Sequence, residues 1–268
     1  MPVDYIHGYS LEERDRLIRQ AQVLAPHVFA GLDIADASRI LEIGCAVGAE
    51  LRILADSWPQ SHVAGLDRDE RHLAAARSHL NDLLESGRAT LVSGDAHRMP
   101  IPTASYDRVM TIWTLEHVSN PQEVIAEALR VLREDGMLIA TEVDNSTFGF
   151  APGCEAIAEW WRRFNHFQQQ AGGDPYIGQR LEEFAREAGG REIESNEIPI
   201  INSTLEPHRR QTLIDYLEDL LLSGSEKLCG GGYGDADLVH ALREDFERVR
   251  RDERISFQYH AVQMMCTW

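Results

Sequence analysis

At 268 residues, with 43% hydrophobic side chains, the chain is long enough for one large α/β core and has ordinary globular composition. Its 44 acidic against 26 basic side chains leave a net charge of −18, which argues against a nucleic acid partner, because such binding depends on neutralising phosphates. No apolar run reaches the length of a membrane span, and the start, Met1-Pro-Val-Asp-Tyr5, lacks the basic-then-apolar order of a leader; the expectation is a cytoplasmic protein with no membrane partner. Cys45, Cys154, Cys229 and Cys266 show neither paired spacing nor a companion His cluster, so free thiols are expected and no metal site.

Along the chain, Ser10 and Glu13 make a capping box that opens a helix, with Leu17, Ile18, Ala21 and Leu24 on one face and Pro26 marking its end. Strands are predicted near 39–43, 62–66, 89–92, 106–112 and 136–142 with helices between them, the doubly wound α/β pattern. In such a sheet the ligand crevice lies outside the carboxyl ends of the first and fourth strands, which gathers Gly44, Asp67, Asp95 and Trp113 around one pocket. Beyond Asp144 the alternation stops. An aromatic-rich helix between Gly153 and Gly172 carries Trp160, Trp161, Phe164 and Phe167, a stripe read first as core and second as substrate wall. Another helix is predicted from Asp174-Pro175 to Gly189-Gly190, then a strand over 192–202. Helices at about 206–222 and 235–251 follow, joined by Cys229-Gly-Gly-Gly-Tyr-Gly234. That glycine run has no lysine and reads as a flexible loop rather than a phosphate cradle. A last strand spans 255–267, and no internal repeat or separate second domain is visible.

The segment Ile40-Leu-Glu-Ile-Gly-Cys-Ala-Val-Gly48 is the most informative. A buried strand breaks at once into a glycine-punctuated turn, and a helix opens at Glu50, an arrangement that brings backbone N–H groups against a ligand. Asp67 closes the second strand, where a carboxylate can accept both hydroxyls of a ribose. Together they indicate a nucleoside cofactor. The pyrophosphate fingerprint G-x-G-x-x-G is incomplete, and the anionic Glu42 and Glu50 flank the turn. Those charges would repel a pyrophosphate but suit a ligand with an amino group and a sulfonium.

The pattern Glu42-x-Gly44-x-Ala46-x-Gly48 resembles the first motif of the class I S-adenosylmethionine-dependent methyltransferases, of the small-molecule, type 11 kind. Ser93-Gly94-Asp95-Ala96 looks like the family's loop after the third strand, and Tyr106 to Val118, ending in Leu115-Glu-His-Val118, like its fourth strand and following stretch. Leu132 to Ala140 is similar to its next Gly turn and fifth strand. Ala46 departs from the pattern, where the family usually has a second Gly. The resemblance covers roughly 9–144 closely. It implies a Rossmann-like, doubly wound seven-stranded sheet with an antiparallel last strand, in a single domain: a lid helix over 1–31, a cofactor-binding core over 38–145, helical inserts over 146–173 and 204–252, and the last strand over 253–268.

The cofactor implied is S-adenosyl-L-methionine. Its site would comprise Tyr9, Glu42, Gly44, Ala46, Gly48, Asp67 on the ribose, Arg68, Gly94, Asp95 on the adenine amino group, Ala96, Ile112 and Trp113. His117 and Glu116 follow the fourth strand, where either would take a proton from an acceptor or, equally well, cap the next helix. Tyr5 and His7 precede the lid helix and would face the acceptor or the cofactor. Methyl transfer to a small organic molecule is the leading expectation, oxygen slightly ahead of nitrogen and carbon, in specialised metabolism; self-association is compatible with it. The alternatives are a nicotinamide or nucleotide-sugar Rossmann enzyme and a non-catalytic cofactor-binding scaffold.

Overall fold

The computed structural model describes residues 7–8, 10–32, 34–203 and 205–268. The doubly wound core runs β1 (Arg39–Ile43), α2 (Ala49–Ser57), β2 (His62–Asp67), α3 (Glu70–His79), α4 (Asn81–Glu85), β3 (Ala89–Ser93), β4 (Tyr106–Ile112), α5 (Pro121–Val131) and β5 (Leu132–Val143), preceded by α1 (Leu11–Val28). After it come β6 (Gly149–Ala151), α6 (Glu155–Gln170), α7 (Leu181–Glu187), β7 (Arg191–Ile201), α8 (Pro207–Ser223), α9 (Ser225–Gly230), α10 (Ala236–Arg251) and β8 (Ser256–Thr267). The strand order is β3-β2-β1-β4-β5-β8, with β7 and β6 both paired to β8. β1 to β5 are parallel, and β8 runs antiparallel to β5.

Alternation in the strands divides the core, as expected when both sheet faces are covered. Ile40 packs in one cluster with Leu51, Leu54 and Leu73 of α2 and α3. Its neighbours Leu41 and Ile43 join the other, with Val124, Ile125 and Leu129 of α5 and Leu181 and Phe184 of α7. No helix among the described residues is long and apolar enough to cross a membrane.

Four details differ from the sequence expectation. The sheet has eight strands rather than seven, because the three residues of β6 extend the β5 side of β8. Helix α1 continues through Pro26 to Val28. The helix expected from Asp174 begins late, with a 3-10 turn at Ile177–Arg180 before α7. Its first residues have other backbone partners: Asp174 donates to the Glu116 carbonyl at 3.0 Å, and the Pro175 carbonyl accepts from Asn145 at 3.0 Å. Finally, the glycine-rich segment after Ser223 is partly helical, as α9.

Candidate active site

The turn after β1 is shaped by positive backbone angles. Gly44 has φ 76°, and a Cβ there would meet the Thr114 side chain at 2.5 Å. Ala46 has φ 42°, a region costly for a residue with a side chain. What holds Ala46 in that shape is Asp67: its Oδ2 accepts the Ala46 N–H at 2.9 Å, while its Oδ1 accepts the Asp69 N–H at 2.8 Å. His72 Nδ1 stands 3.7 Å from the same Oδ2. Two backbone donors thus aim the Asp67 carboxylate, which lines the cleft beside them.

That cleft, about 220 Å³, lies over the carboxyl ends of the strands. Gly44, Ala46, Asp67 and Arg68 form its wall at β1 and β2, with Gly94, Asp95 and Ala96 after β3 and Ile112, Trp113, Glu116 and His117 after β4. Asp95 is exposed, and the backbone N–H of His97 at 2.9 Å, with its ring at 2.7 Å, holds the carboxyl below the usual range. Gly48 caps α2 behind the wall, and Glu42 is buried beneath the turn, 2% exposed. Tyr9 and Tyr5 lie outside the described residues. Cys45 is buried, its thiol pushed well up by burial.

Three carboxyls sit under or beside the cleft, Glu42 and Glu142 buried and Glu50 half-buried. Burial pushes Glu50 up to about 7. Burial, aided by the charges of Glu50 and Asp67, raises Glu42 well above the ordinary range, and its Oε2 has no hydrogen-bond partner. Glu142 of β5 is pushed up to about 8 by burial, while its Oε1 accepts the N–H groups of Thr114 (3.1 Å) and Leu115 (2.9 Å). These bonds hold the loop that carries Glu116 and His117.

The structure brings Glu116 and His117 together with the cleft. Glu116 Oε2 accepts from Gln168 Nε2 at 2.6 Å, and its Oε1 lies 3.5 Å from His117 Nε2. Burial raises Glu116 to about 7, whereas burial and the nearby Arg16 and Arg68 hold His117 down to about 4. Near neutrality the imidazole is therefore uncharged and weakly basic, and the carboxylate is the stronger base of the two.

A second set of wall residues was not singled out from the sequence. Arg16, Leu17, Gln20 and Leu24 of α1 face the cleft, opposite Leu213, Tyr216, Leu217 and Leu220 of α8. The Arg16 guanidinium is buried and bound by both Glu13 oxygens at 2.7 and 2.6 Å and by Gln20 at 2.8 Å. A charged residue recurring on the apolar face of α1 was the available signal. The aromatic stripe of α6 splits: Trp160 is wholly buried and bonds the Leu221 carbonyl at 2.9 Å, while Trp161 and Phe164 line the cleft with Phe148, Phe257 and Tyr259.

Comparisons with known proteins agree with this geometry. A family model described as a methyltransferase domain matches residues 41–140. Over 161 residues the chain is 30% identical to an uncharacterized 37.1 kDa transposon protein of Streptomyces fradiae, covering 59% of this chain and 45% of that one. Over 120 residues it is 29% identical to the ubiquinone/menaquinone biosynthesis C-methyltransferase of Methylobacterium nodulans, 44% of this chain and 46% of that one. The chain thus spans less than half the length of each of these curated relatives. Its fold matches phosphoethanolamine N-methyltransferase 2 of Haemonchus contortus with a TM-score of 0.60 at 16% identity, covering 96% of this chain and 56% of that one. Residues 41–140 are thus similar to a methyltransferase domain, in agreement with the resemblance of the Glu42-to-Gly48 motif. The cofactor that such a domain implies is S-adenosylmethionine. The residues present fit that molecule: the acidic side chains of Glu50 and Asp67 line the cleft beside the turn, where they suit a cationic ligand, and Glu42 lies buried beneath them.

Proposed function

We propose that the protein transfers the methyl group of S-adenosylmethionine to a small organic acceptor, with oxygen preferred over nitrogen or carbon. The observation that carries the preference is Glu116: a carboxylate with a raised pKa, aimed by Gln168, on the cleft wall directly after β4. Asp67 would hold the ribose hydroxyls, Asp95 and its loop the adenine, and Glu50 the cationic end of the donor. Gly44, Ala46, Arg68, Gly94, Ala96, Ile112 and Trp113 would complete the donor wall, with Gly48 and Glu42 supporting it from behind. The bound cofactor supplies an electrophilic methyl on sulfur. Alignment of donor and acceptor provides most of the acceleration, because the displacement is in line and needs little other assistance.

The acceptor hydroxyl gives its proton to Glu116 as its oxygen bonds to the methyl carbon; the electron pair of the broken carbon–sulfur bond stays on sulfur. His117, neutral beside Glu116, would orient that carboxylate. The chamber roofed by α1 and α8 excludes water from this exchange. The similar proteins include a carbon and a nitrogen methyltransferase, so the experiment must separate the three acceptor elements. Incubation with methyl-labelled donor and a panel of hydroxyl, amine and carbon-acid acceptors, read by mass spectrometry, does so. Exclusive N- or C-methyl products would reject the oxygen preference. Calorimetric binding of a nicotinamide dinucleotide, with no response to S-adenosylmethionine or S-adenosylhomocysteine, would reject methyl transfer altogether.

A further inference from the structure

Resting on the methyl-transfer reading, we infer that the acceptor is a neutral, planar aromatic alcohol, a phenol or fused-ring naphthol laid against Phe148 and Trp161 with its hydroxyl toward Glu116. The wall is built of rings in near-parallel array that stack on one another and leave apolar ring surface to the cleft. Phe148 and Trp161 have centroids 4.1 Å apart at 22°, and Trp161 and Phe164 5.4 Å apart at 2°. Flat aromatic surfaces are the natural partners of such faces.

The polar atoms of the same wall are already committed to one another. Trp161 Nε1 donates to the Asn145 carbonyl at 3.0 Å, Asn145 Nδ2 to Asn165 at 2.8 Å, and the Tyr259 hydroxyl to Asn145 Oδ1 at 3.3 Å. The Tyr216 hydroxyl donates to Gln20 at 3.2 Å. A charged or polyhydroxylated acceptor would shed its water here without gaining equivalent partners, whereas an uncharged ring bearing one hydroxyl loses little. His7 and His117, which line the same cleft, do not change this balance, since burial keeps both neutral.

The chemistry of Glu116 narrows the class further. A carboxylate titrating at about 7 is too weak a base for an alkanol but lies within reach of a phenolic hydroxyl, whose ordinary pKa is about 10.

The test uses the full-length protein with 2-naphthol, its saturated counterpart decahydro-2-naphthol, and phosphoethanolamine as probes. Calorimetry with S-adenosylhomocysteine is run first. Expected are saturable quenching of tryptophan fluorescence by 2-naphthol, an O-methyl product by mass spectrometry, and kcat/KM at least 100-fold above that for decahydro-2-naphthol. Trp161→Ala should raise KM for 2-naphthol about tenfold with a smaller change in kcat, and Trp161→Phe should restore it to within about threefold. Equal or better turnover of the saturated alcohol, preference for phosphoethanolamine, or absence of saturable 2-naphthol binding would each overturn the aromatic assignment. If the sulfur ligand also fails to bind, it is the methyl-transfer reading that falls; if it binds while 2-naphthol does not, only the acceptor class falls.

Discussion

Glu142 of β5 accepts the backbone N–H of Leu115 at 2.9 Å, so a buried strand carboxyl holds in place the loop that carries Glu116. Replacing it by alanine would leave the Leu115 and Thr114 N–H groups without their acceptor. Glu142→Ala should cost about 1–3 kcal/mol for each donor left buried and dry. Glu142→Gln, which keeps an acceptor oxygen, should cost far less. Urea unfolding of the two variants checks this, and an unperturbed alanine variant would show that the loop is held elsewhere.

The same carboxyl gives stability a direction with pH. Glu50, Glu116 and Glu142 have folded-state values raised to about 7, 7 and 8 from 4.5, so the folded chain binds more protons than the unfolded chain across that interval. Their contribution is full below the unfolded value and is lost as pH rises through the folded ones. His117 acts oppositely: lowered from 6.5 to about 4, it makes stability rise with pH up to its unfolded value. The two trends offset each other below about pH 6.5, and above it only the acids remain. Thermal melts should therefore show Tm falling from pH 6.5 to 8.5, less steeply in Glu142→Gln. A Tm that climbs over this range would contradict the buried-acid description.

Asp67→Ala should weaken S-adenosylmethionine and S-adenosylhomocysteine alike. In the proposed site it would remove a charge-assisted hydrogen bond to the ribose, worth about 1.5–3 kcal/mol, or roughly tenfold to a hundredfold in Kd. It also frees the Ala46 and Asp69 N–H groups, so the turn itself loosens. Calorimetry on the folded variant gives the answer, and unchanged affinity would remove Asp67 from the cofactor site.

Trp160 and Trp161 are neighbours with separable fates. Trp160 is fully buried, with its indole N–H bonded to Leu221, so Trp160→Ala should cost about 3–5 kcal/mol of stability. Chemical denaturation measures it. A loss below about 1 kcal/mol would show that this helix face is not core.

Helices α1 and α8 supply the two facing walls of the roof. Closure over bound ligands predicts that their amides gain hydrogen-exchange protection when S-adenosylhomocysteine and an acceptor bind, while β1 and β4 change little. Identical exchange with and without ligands would mean that the roof is preformed and rigid.

The cleft wall at β1 and β2 was legible in the sequence because it is local. Gly44, Gly48 and Asp67 belong to one strand–turn–helix–strand unit, and their spacing alone sets their positions. The place of Glu116 and His117 on the cleft was legible for the same reason, though which is the stronger base was not, since burial and the Arg16 charge set it. The rest of the cleft comes from α1, α6, α8 and β8, brought together by packing that no local pattern records. Helical periodicity identified the aromatic stripe but not which of two adjacent tryptophans faces the cleft, because that depends on the docking of α6 against its neighbours. β6 has three residues, too few for any periodic signal. Pro26 was read as a stop, yet α1 runs two residues past it, carrying Val28 into the core.

The twelve residues of β8 act as a ruler between two parts of the molecule. Positions 261–267 are stitched to β5, and the preceding positions 256–258 are stitched to β6, so Phe257 and Tyr259 stand on the same stiff element as the sheet itself. Helical substitutions can reshape the roof gradually, whereas the strand changes only in steps. Inserting one residue between Tyr259 and Ala261 would turn the aromatic side chains to the other face of the sheet, and inserting two would carry them about 7 Å along it. Reach toward larger or smaller acceptors is thus continuous from above and quantised from below.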